Sequence, residues 1–263
     1  MVNFQYLNIK VLEIKLTFLK MYYNVNAGHV GSSLSCAEIL GVIWFYFKSD
    51  NDRFVLSKGH AAAALYATLH VANNISAEEI ETFYKNNTVL PAHPPVNKFK
   101  DIPFATGSLG HGLSIASGFG YSNKIRNSDH KVFCVTSDGE LNEGSTWEAA
   151  LFIAHNKLNN VLWIIDRNRF QGFGKSEEII MLDPLHKKLE AFGFYVVELN
   201  GHSIQELMNI KEVFKKSIKP VVIIANTIKG NGWDNKENTL DSHYLPMEDQ
   251  EYNELLKKLN YEG

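Results

Sequence analysis

The chain has 263 residues, of which 45% are hydrophobic, 21% charged and 12% aromatic, with a formal net charge of −3. This is the balance of an ordinary globular protein with ample core, and it gives no electrostatic reason to expect nucleic acid or an anionic membrane surface as partner. The longest apolar run, residues 39–47, falls short of the ~20 residues that cross a bilayer. No basic, apolar and small-residue series marks a secretion signal, so a cytoplasmic protein is expected.

The first twenty-odd residues carry apolar side chains at helical spacing (Leu7, Val11, Leu12, Ile14, Leu16, Leu19), interrupted by Lys10, Lys15 and Lys20. A glycine-serine loop is expected at residues 28–33, and a helix opening at Ser35 with Glu38 placed as in a capping box. Cys36 and Cys134 stand singly in apolar segments, which predicts buried reduced thiols. A short strand at 53–57 leads through Lys58, Gly59 and His60 into an alanine-rich helix.

From residue 130 strands and helices alternate. Strands are expected at 131–136, 161–165, 195–199 and 221–225, and helices at 145–158 and 204–216, with a further helix near 251–256. Continuous apolar strands alternating with helices predict an α/β fold, a central parallel sheet covered by helices on both faces. No linker, repeat or low-complexity tract divides the chain, so residues 1–263 read as a single domain. Ligands of such sheets bind beyond the carboxyl ends of the strands.

Two polar groups fall there. Asp138-Gly139 follows one buried strand and Asn168 follows the next, and adjacent parallel strands would bring them together. A carboxylate and an amide oxygen suit Mg²⁺ or Ca²⁺, and Mg²⁺ commonly shares phosphate oxygens with its protein ligands. A diphosphate bridged through the metal is the natural occupant, with Gly139 allowing the backbone to approach it.

The segment Ser137-Asp138-Gly139-Glu140-Leu141-Asn142-Glu143-Gly144, followed by Trp147-Glu148-Ala149-Ala150 and by Asp166-Arg167-Asn168, resembles the thiamine diphosphate motif of transketolases. Four further motifs of that family appear in order. They are Gly28-His29-Val30-Gly31, Ser57-Lys58-Gly59-His60-Ala61, Ala92-His93-Pro94 and Thr106-Gly107-Ser108-Leu109-Gly110-His111-Gly112. The resemblance implies Asp138, Asn168 and the backbone carbonyl of Phe170 as ligands of Mg²⁺, with Ca²⁺ a substitute. It implies His60, Gly107, Ser108, Leu109, Gly139, Glu140, Asn168, Ile228 and Lys229 at thiamine diphosphate, Glu143 at a contact between subunits, and a lesser claim for Glu148.

The activity it implies is transfer of a two-carbon ketol unit from a ketose to an aldose-type acceptor, with the cofactor as electron sink. Proton movement at carbonyl and hydroxyl oxygens near neutral pH is work for histidine. By resemblance His29, His60, His93 and His243 are the catalytic set, binding and polarising the sugar or sugar-phosphate substrates. His111 reads as a helix-starting residue, and His70, His130, His155, His186 and His202 as surface or packing residues. Ser137 and Arg167 depart from the family pattern without removing a metal ligand.

Nothing in the chain corresponds to the family's pyrimidine-binding domain, which supplies a glutamate to the cofactor. The expected partner is therefore a separate C-terminal transketolase subunit in an α2β2 assembly, and the chain should be inactive without it. The competing readings are a 2-oxo-acid dehydrogenase component, a deoxyxylulose-phosphate synthase relative, or a non-catalytic cofactor-binding subunit. A dinucleotide-binding dehydrogenase is disfavoured, since no G-x-G-x-x-G follows a strand.

Overall fold

The structure is a computed structural model that describes residues 2–96 and 98–261. After α1 (Phe4–Val25) come two short helices, α2 (Val30–Leu34) and α3 (Ala37–Val42), then β1 (Arg53–Leu56), α4 (Ala62–Val71) and α5 (Ala77–Ile80). The second half runs α6 (Gly112–Ile125), β2 (Val132–Ser137), α7 (Gly144–His155), β3 (Val161–Arg167), the hairpin β4 (Phe170–Gln171) and β5 (Gly174–Lys175), and α8 (Ser176–Ile179). It ends with α9 (Leu185–Phe192), β6 (Tyr195–Asn200), α10 (Ile204–Lys216), β7 (Val221–Asn226), α11 (Asp241–Tyr244) and α12 (Asp249–Tyr261).

Five parallel strands form the sheet in the order β1-β2-β3-β7-β6. Alternate residues of each strand enter opposite apolar layers, as a sheet covered on both faces requires. Phe133, Val135, Leu162, Ile164 and Ile223 pack with α1, α3, α4 and α10. Val132, Cys134, Val161, Trp163 and Ile224 pack with α6, α7 and α9. Both cysteines are buried free thiols, and burial pushes Cys36 up to about 12.

Two local expectations fail near the N-terminus. Residues 30–34 are helical rather than loop, entered through His29 in the left-handed region at φ 70. The helix expected at Ser35 begins at Ala37 without a side-chain cap. The Ser35 hydroxyl instead donates to Asp166 Oδ2 at 2.6 Å, and the Glu38 carboxylate turns to Lys15 and His202. Tertiary partners outcompete the local capping pattern. Among the described residues no helix is long and apolar enough to cross a membrane.

Candidate active site

In the sheet register Ser137 lies opposite Asp166, and Arg167 opposite Asn226, so the chains leaving β2, β3 and β7 emerge side by side. Strand order reverses between β3 and β7, which opens a crevice at their carboxyl ends. Asp138 stands at its floor. Its Oδ1 accepts from Gly139 N at 3.0 Å, and its Oδ2 from Arg169 N at 2.8 Å and Ser176 Oγ at 3.0 Å. Burial, reinforced by the charge of Asp166, pushes Asp138 up to about 6.

Asn168 is buried, and its Oδ1 accepts from Phe170 N at 3.0 Å. Arg169 between them takes φ 65, which folds the segment back on itself. The Phe170 carbonyl accepts from Lys229 Nζ at 3.4 Å. Asp138, Asn168 and Phe170 thus share one turn-and-strand-end cluster. Among the described residues no three His, Cys, Asp or Glu side chains are grouped to hold a metal. The cluster offers one carboxylate, one amide oxygen and one carbonyl, a hard-donor set that needs oxygens from a ligand to complete six-coordination.

Lys58 and Lys229 flank this floor. Lys58 is fully buried and pairs with Asp166, while donating to Ser32 O at 2.9 Å. Burial opposes the charge on Lys58, but Asp166 outweighs it and holds the ammonium above its usual range. Burial likewise opposes the charge on Asp166, yet Lys58, Ser35 and Thr227 keep its carboxyl low. Lys229 differs. It is 1% exposed, and its ammonium has no carboxylate partner among the described residues, only the Phe170 carbonyl and His243 Nδ1 at 2.6 Å. Burial and the repulsion of Lys58 push it down to about 7.

The four histidines singled out in the sequence converge above the floor. Ring centroids lie 4.8 Å apart for His29 and His243, 5.7 Å for His29 and His60, 5.8 Å for His60 and His243, and 6.4 Å for His29 and His93. The His29 amide donates to the His243 carbonyl at 2.9 Å, which ties α2 to α11. Burial first, then neighbouring cations, lower His29 to about 4 and His243 to about 3. His60 is lowered well below its usual value for the same reasons. These rings are neutral at pH 7, able to donate and accept hydrogen bonds.

Gly107 lies against His93 at φ +131, and a Cβ there would sit 2.5 Å from the imidazole Cδ2. Ser108 is exposed and Leu109 partly buried, while Ile228 follows β7 beside Lys229. At Gly139 a Cβ would meet Gln171 Cβ at 2.8 Å, which keeps the turn narrow. Glu140 turns inward, bonding Ser57 Oγ and accepting from Gly110 N at 2.8 Å, so it braces the glycine-rich loop. Glu143 and Glu148 are exposed at the start of α7, and His111 sits at the N-cap of α6 without a capping side-chain bond.

Sequence reasoning missed Asp166 and Thr227, which anchor Lys58 and the loop after β7. Lys58 lies within one of the family motifs, and its place at a strand end is the available signal. His202, read as surface or packing, is instead a bonded residue beneath Ile228. Leu113, just past the glycine-rich loop, is fully buried in the sheet layer.

Thiamine diphosphate and a divalent ion can be tested against these residues. Gln171 Nε2 and His29 Nδ1 are buried without a partner, and Lys229 makes no ion pair with a carboxylate among the described residues. The unpartnered Gln171 amide and the Lys229 amine beside a hard oxygen cluster fit an anionic, metal-bridged ligand.

Fold and crevice together define an α/β protein whose strand ends gather buried oxygen donors and two buried lysines at one crevice. Residues 9–263 match the family model described as transketolase, thiamine diphosphate binding domain. The chain is 34% identical over 259 residues to a 6-deoxy-6-sulfo-D-fructose transketolase subunit of Clostridium sp. (strain MSTE9), covering 95% of this chain and 94% of that protein. It is 37% identical over 244 residues to one subunit of the apulose-4-phosphate transketolase of Actinobacillus succinogenes, covering 89% of this chain and 88% of that one. The chain belongs to the transketolase family, as its thiamine diphosphate-binding part. Its structure matches transketolase from Campylobacter jejuni with a TM-score of 0.92 at 31% identity, over 98% of this chain and 43% of that one.

Proposed function

We propose that this chain is the thiamine diphosphate-binding subunit of a two-chain transketolase, which moves a two-carbon ketol unit from a ketose donor to an aldose-type acceptor. The convergence of His29, His60, His93 and His243 over the Asp138–Asn168–Phe170 cluster carries this reading. A metal and a sugar-handling site would otherwise have no reason to share one crevice. The relatives that match over most of their length are named as transketolase subunits, which supports a second chain. We read residues 1–263 as one diphosphate-binding domain, and the assembly as α2β2.

Thiamine diphosphate, when bound, supplies the carbon nucleophile and the electron sink of the reaction. Asp138, the Asn168 amide oxygen and the Phe170 carbonyl would hold Mg²⁺, with Ca²⁺ a substitute. Lys229 and the backbone at Gly139 would meet the diphosphate, and Gly107, Ser108, Leu109 and Ile228 would border the rings. Glu140 acts through the loop it braces. His60 would lie near the diphosphate and hydrogen-bond a hydroxyl of the donor. His93 orients the terminal hydroxyl of the donor, and His29 and His243 hydrogen-bond the substrate carbonyl oxygen and pass its proton. Neutral imidazoles suit that task, since each can donate from one nitrogen and accept at the other.

The direct test is a ketol-transfer assay with a ketose donor, an aldose acceptor, Mg²⁺ and cofactor, with and without a pyrimidine-domain chain. Transfer only in the mixture supports the proposal. Robust transfer by this chain alone overturns the two-chain reading, and none in any mixture that binds cofactor overturns the activity.

A further inference from the structure

We infer that His202 is a positioning residue for the loop that follows β7, pinned from behind by Glu38 and Lys15 so that Ile228 and Lys229 face the crevice. The inference deepens the proposed function and rests on it.

His202 Nε2 accepts from the Ile228 amide at 2.9 Å. An amide N–H can only donate, so Nε2 is the unprotonated nitrogen and Nδ1 carries the hydrogen. Nδ1 lies 3.1 Å from Glu38 Oε2, which makes Glu38 its acceptor and fixes the tautomer. The Asn231 side-chain amide stands beside the same nitrogen at 3.1 Å. The other carboxylate oxygen of Glu38 is 2.7 Å from Lys15 Nζ. Glu38 is 5% exposed, and although burial opposes its charge, Lys15 and then His202 lower it to about 2. One continuous path therefore runs from α1 through α3 and the turn after β6 to a single backbone amide.

That amide belongs to a loop whose backbone is also tied by Thr227 N to Arg167 O at 3.1 Å, Gly230 N to Gly31 O at 3.1 Å and Asn238 N to Lys229 O at 2.9 Å, so His202 holds the one stretch between them, at Ile228. In front, Thr227 donates to Asp166, the carboxylate that also pairs with Lys58. Behind lies an open cleft of about 670 Å³, lined by Asn200, His202, Asn226, Thr227, Ile228 and Asn231. At Ile228, on the edge of this cleft, the amide bond to His202 is the tie that faces it. Lys229, one residue beyond the amide that His202 holds, reaches the Phe170 carbonyl and His243. Freed from His202, the loop could relax into the cleft and withdraw the ammonium from the anion site.

The test uses the full chain with its pyrimidine-domain partner. His202→Phe removes the acceptor, and His202→Gln returns an oxygen near the position of Nε2. Hydrogen exchange at Ile228 and calorimetric affinity for thiamine diphosphate with Mg²⁺ are both measured, with kcat at saturating cofactor as a third readout. His202→Phe should speed exchange at Ile228 and weaken cofactor binding by roughly tenfold, the size of one lost hydrogen bond. Its kcat at saturation should stay within about twofold, and His202→Gln should recover most of the loss. If His202→Phe does not fold, Glu38→Gln is read in the same way, with roughly a threefold weakening expected. Unchanged affinity and unchanged exchange in these variants overturn the inference, as does equal loss in the Phe and Gln variants. Wild-type protein that binds no cofactor overturns the proposed function itself, with the cofactor role of His202, whereas wild-type binding with unaffected variants overturns the inference alone.

Discussion

Lys58 and Asp166, both without solvent exposure, form an ion pair across the ends of β1 and β3. Ser35 and Thr227 donate to the same carboxylate, so four segments distant in sequence meet at one group. Removing one partner leaves the other charge buried. Lys58→Met or Asp166→Asn should each cost roughly 3–5 kcal/mol in unfolding free energy. Urea denaturation of the double variant should show a loss well below the sum, because the residues are coupled. Additive losses would mean that the pair contributes no shared term.

Glu38 gives a pH prediction. Its folded value, lowered from 4.5 to about 2, means the unfolded chain takes up the proton first as pH falls. The stabilisation is fully present above about 4.5 and lost as pH falls toward about 2. Denaturation midpoints of wild type and Glu38→Gln should therefore differ most near neutrality and converge through that window. A constant gap from pH 7 to pH 2 would contradict the role given to this carboxylate.

The donor preference follows from the histidine cluster. His60 and His93 are assigned to hydroxyls that a ketose has and pyruvate lacks, and a site with polar groups left unpaired rejects such an analogue. The assembled enzyme should turn over a ketose or hydroxypyruvate faster than pyruvate. His93→Ala should reduce kcat/KM for the ketose by roughly a hundredfold while scarcely changing the rate with pyruvate. Faster turnover of pyruvate by wild type would move the protein to the 2-oxo-acid class.

Much of this arrangement was legible in the sequence. Buried strands such as residues 161–165 announce themselves by apolar continuity, and Asp138 and Asn168 are found because both follow such strands. His29, His60 and His93 are visible because Gly or Pro flanks them, whereas His243, between Ser242 and Tyr244, is reached only through the family resemblance. Networks are harder to read. Ser35 and Glu38 carry a good local capping signal, yet their side chains serve Asp166 and His202, more than 100 positions away. His202 follows Gly201 much as His29 follows Gly28, but its importance lies in a backbone amide that comes close only when β6 and β7 pair.

The proposed partner dependence would have a physical basis in the surface of this chain. Phe104, Tyr121, Ile125, Leu151 and Phe152 are exposed large apolar side chains, and Tyr121 and Phe152 lie in ring contact. Such clusters favour association. Sedimentation of this chain alone should show self-association, and addition of a pyrimidine-domain chain should replace it with one defined species. A stable monomer indifferent to that chain would contradict the α2β2 reading.

The central claim is that the crevice between β2, β3 and β7 holds thiamine diphosphate through a divalent ion. Calorimetric titration of the assembled protein with thiamine diphosphate tests it, with Mg²⁺ present or removed by chelation, on wild type and on Asp138→Ala and Asn168→Ala. The account predicts tight binding by wild type only with the metal, and binding weaker by roughly a hundredfold or more in either variant with the fold intact, because each lacks a ligand to an ion with strict octahedral demands. Equal affinity in wild type and both variants, or binding indifferent to the metal, would contradict it.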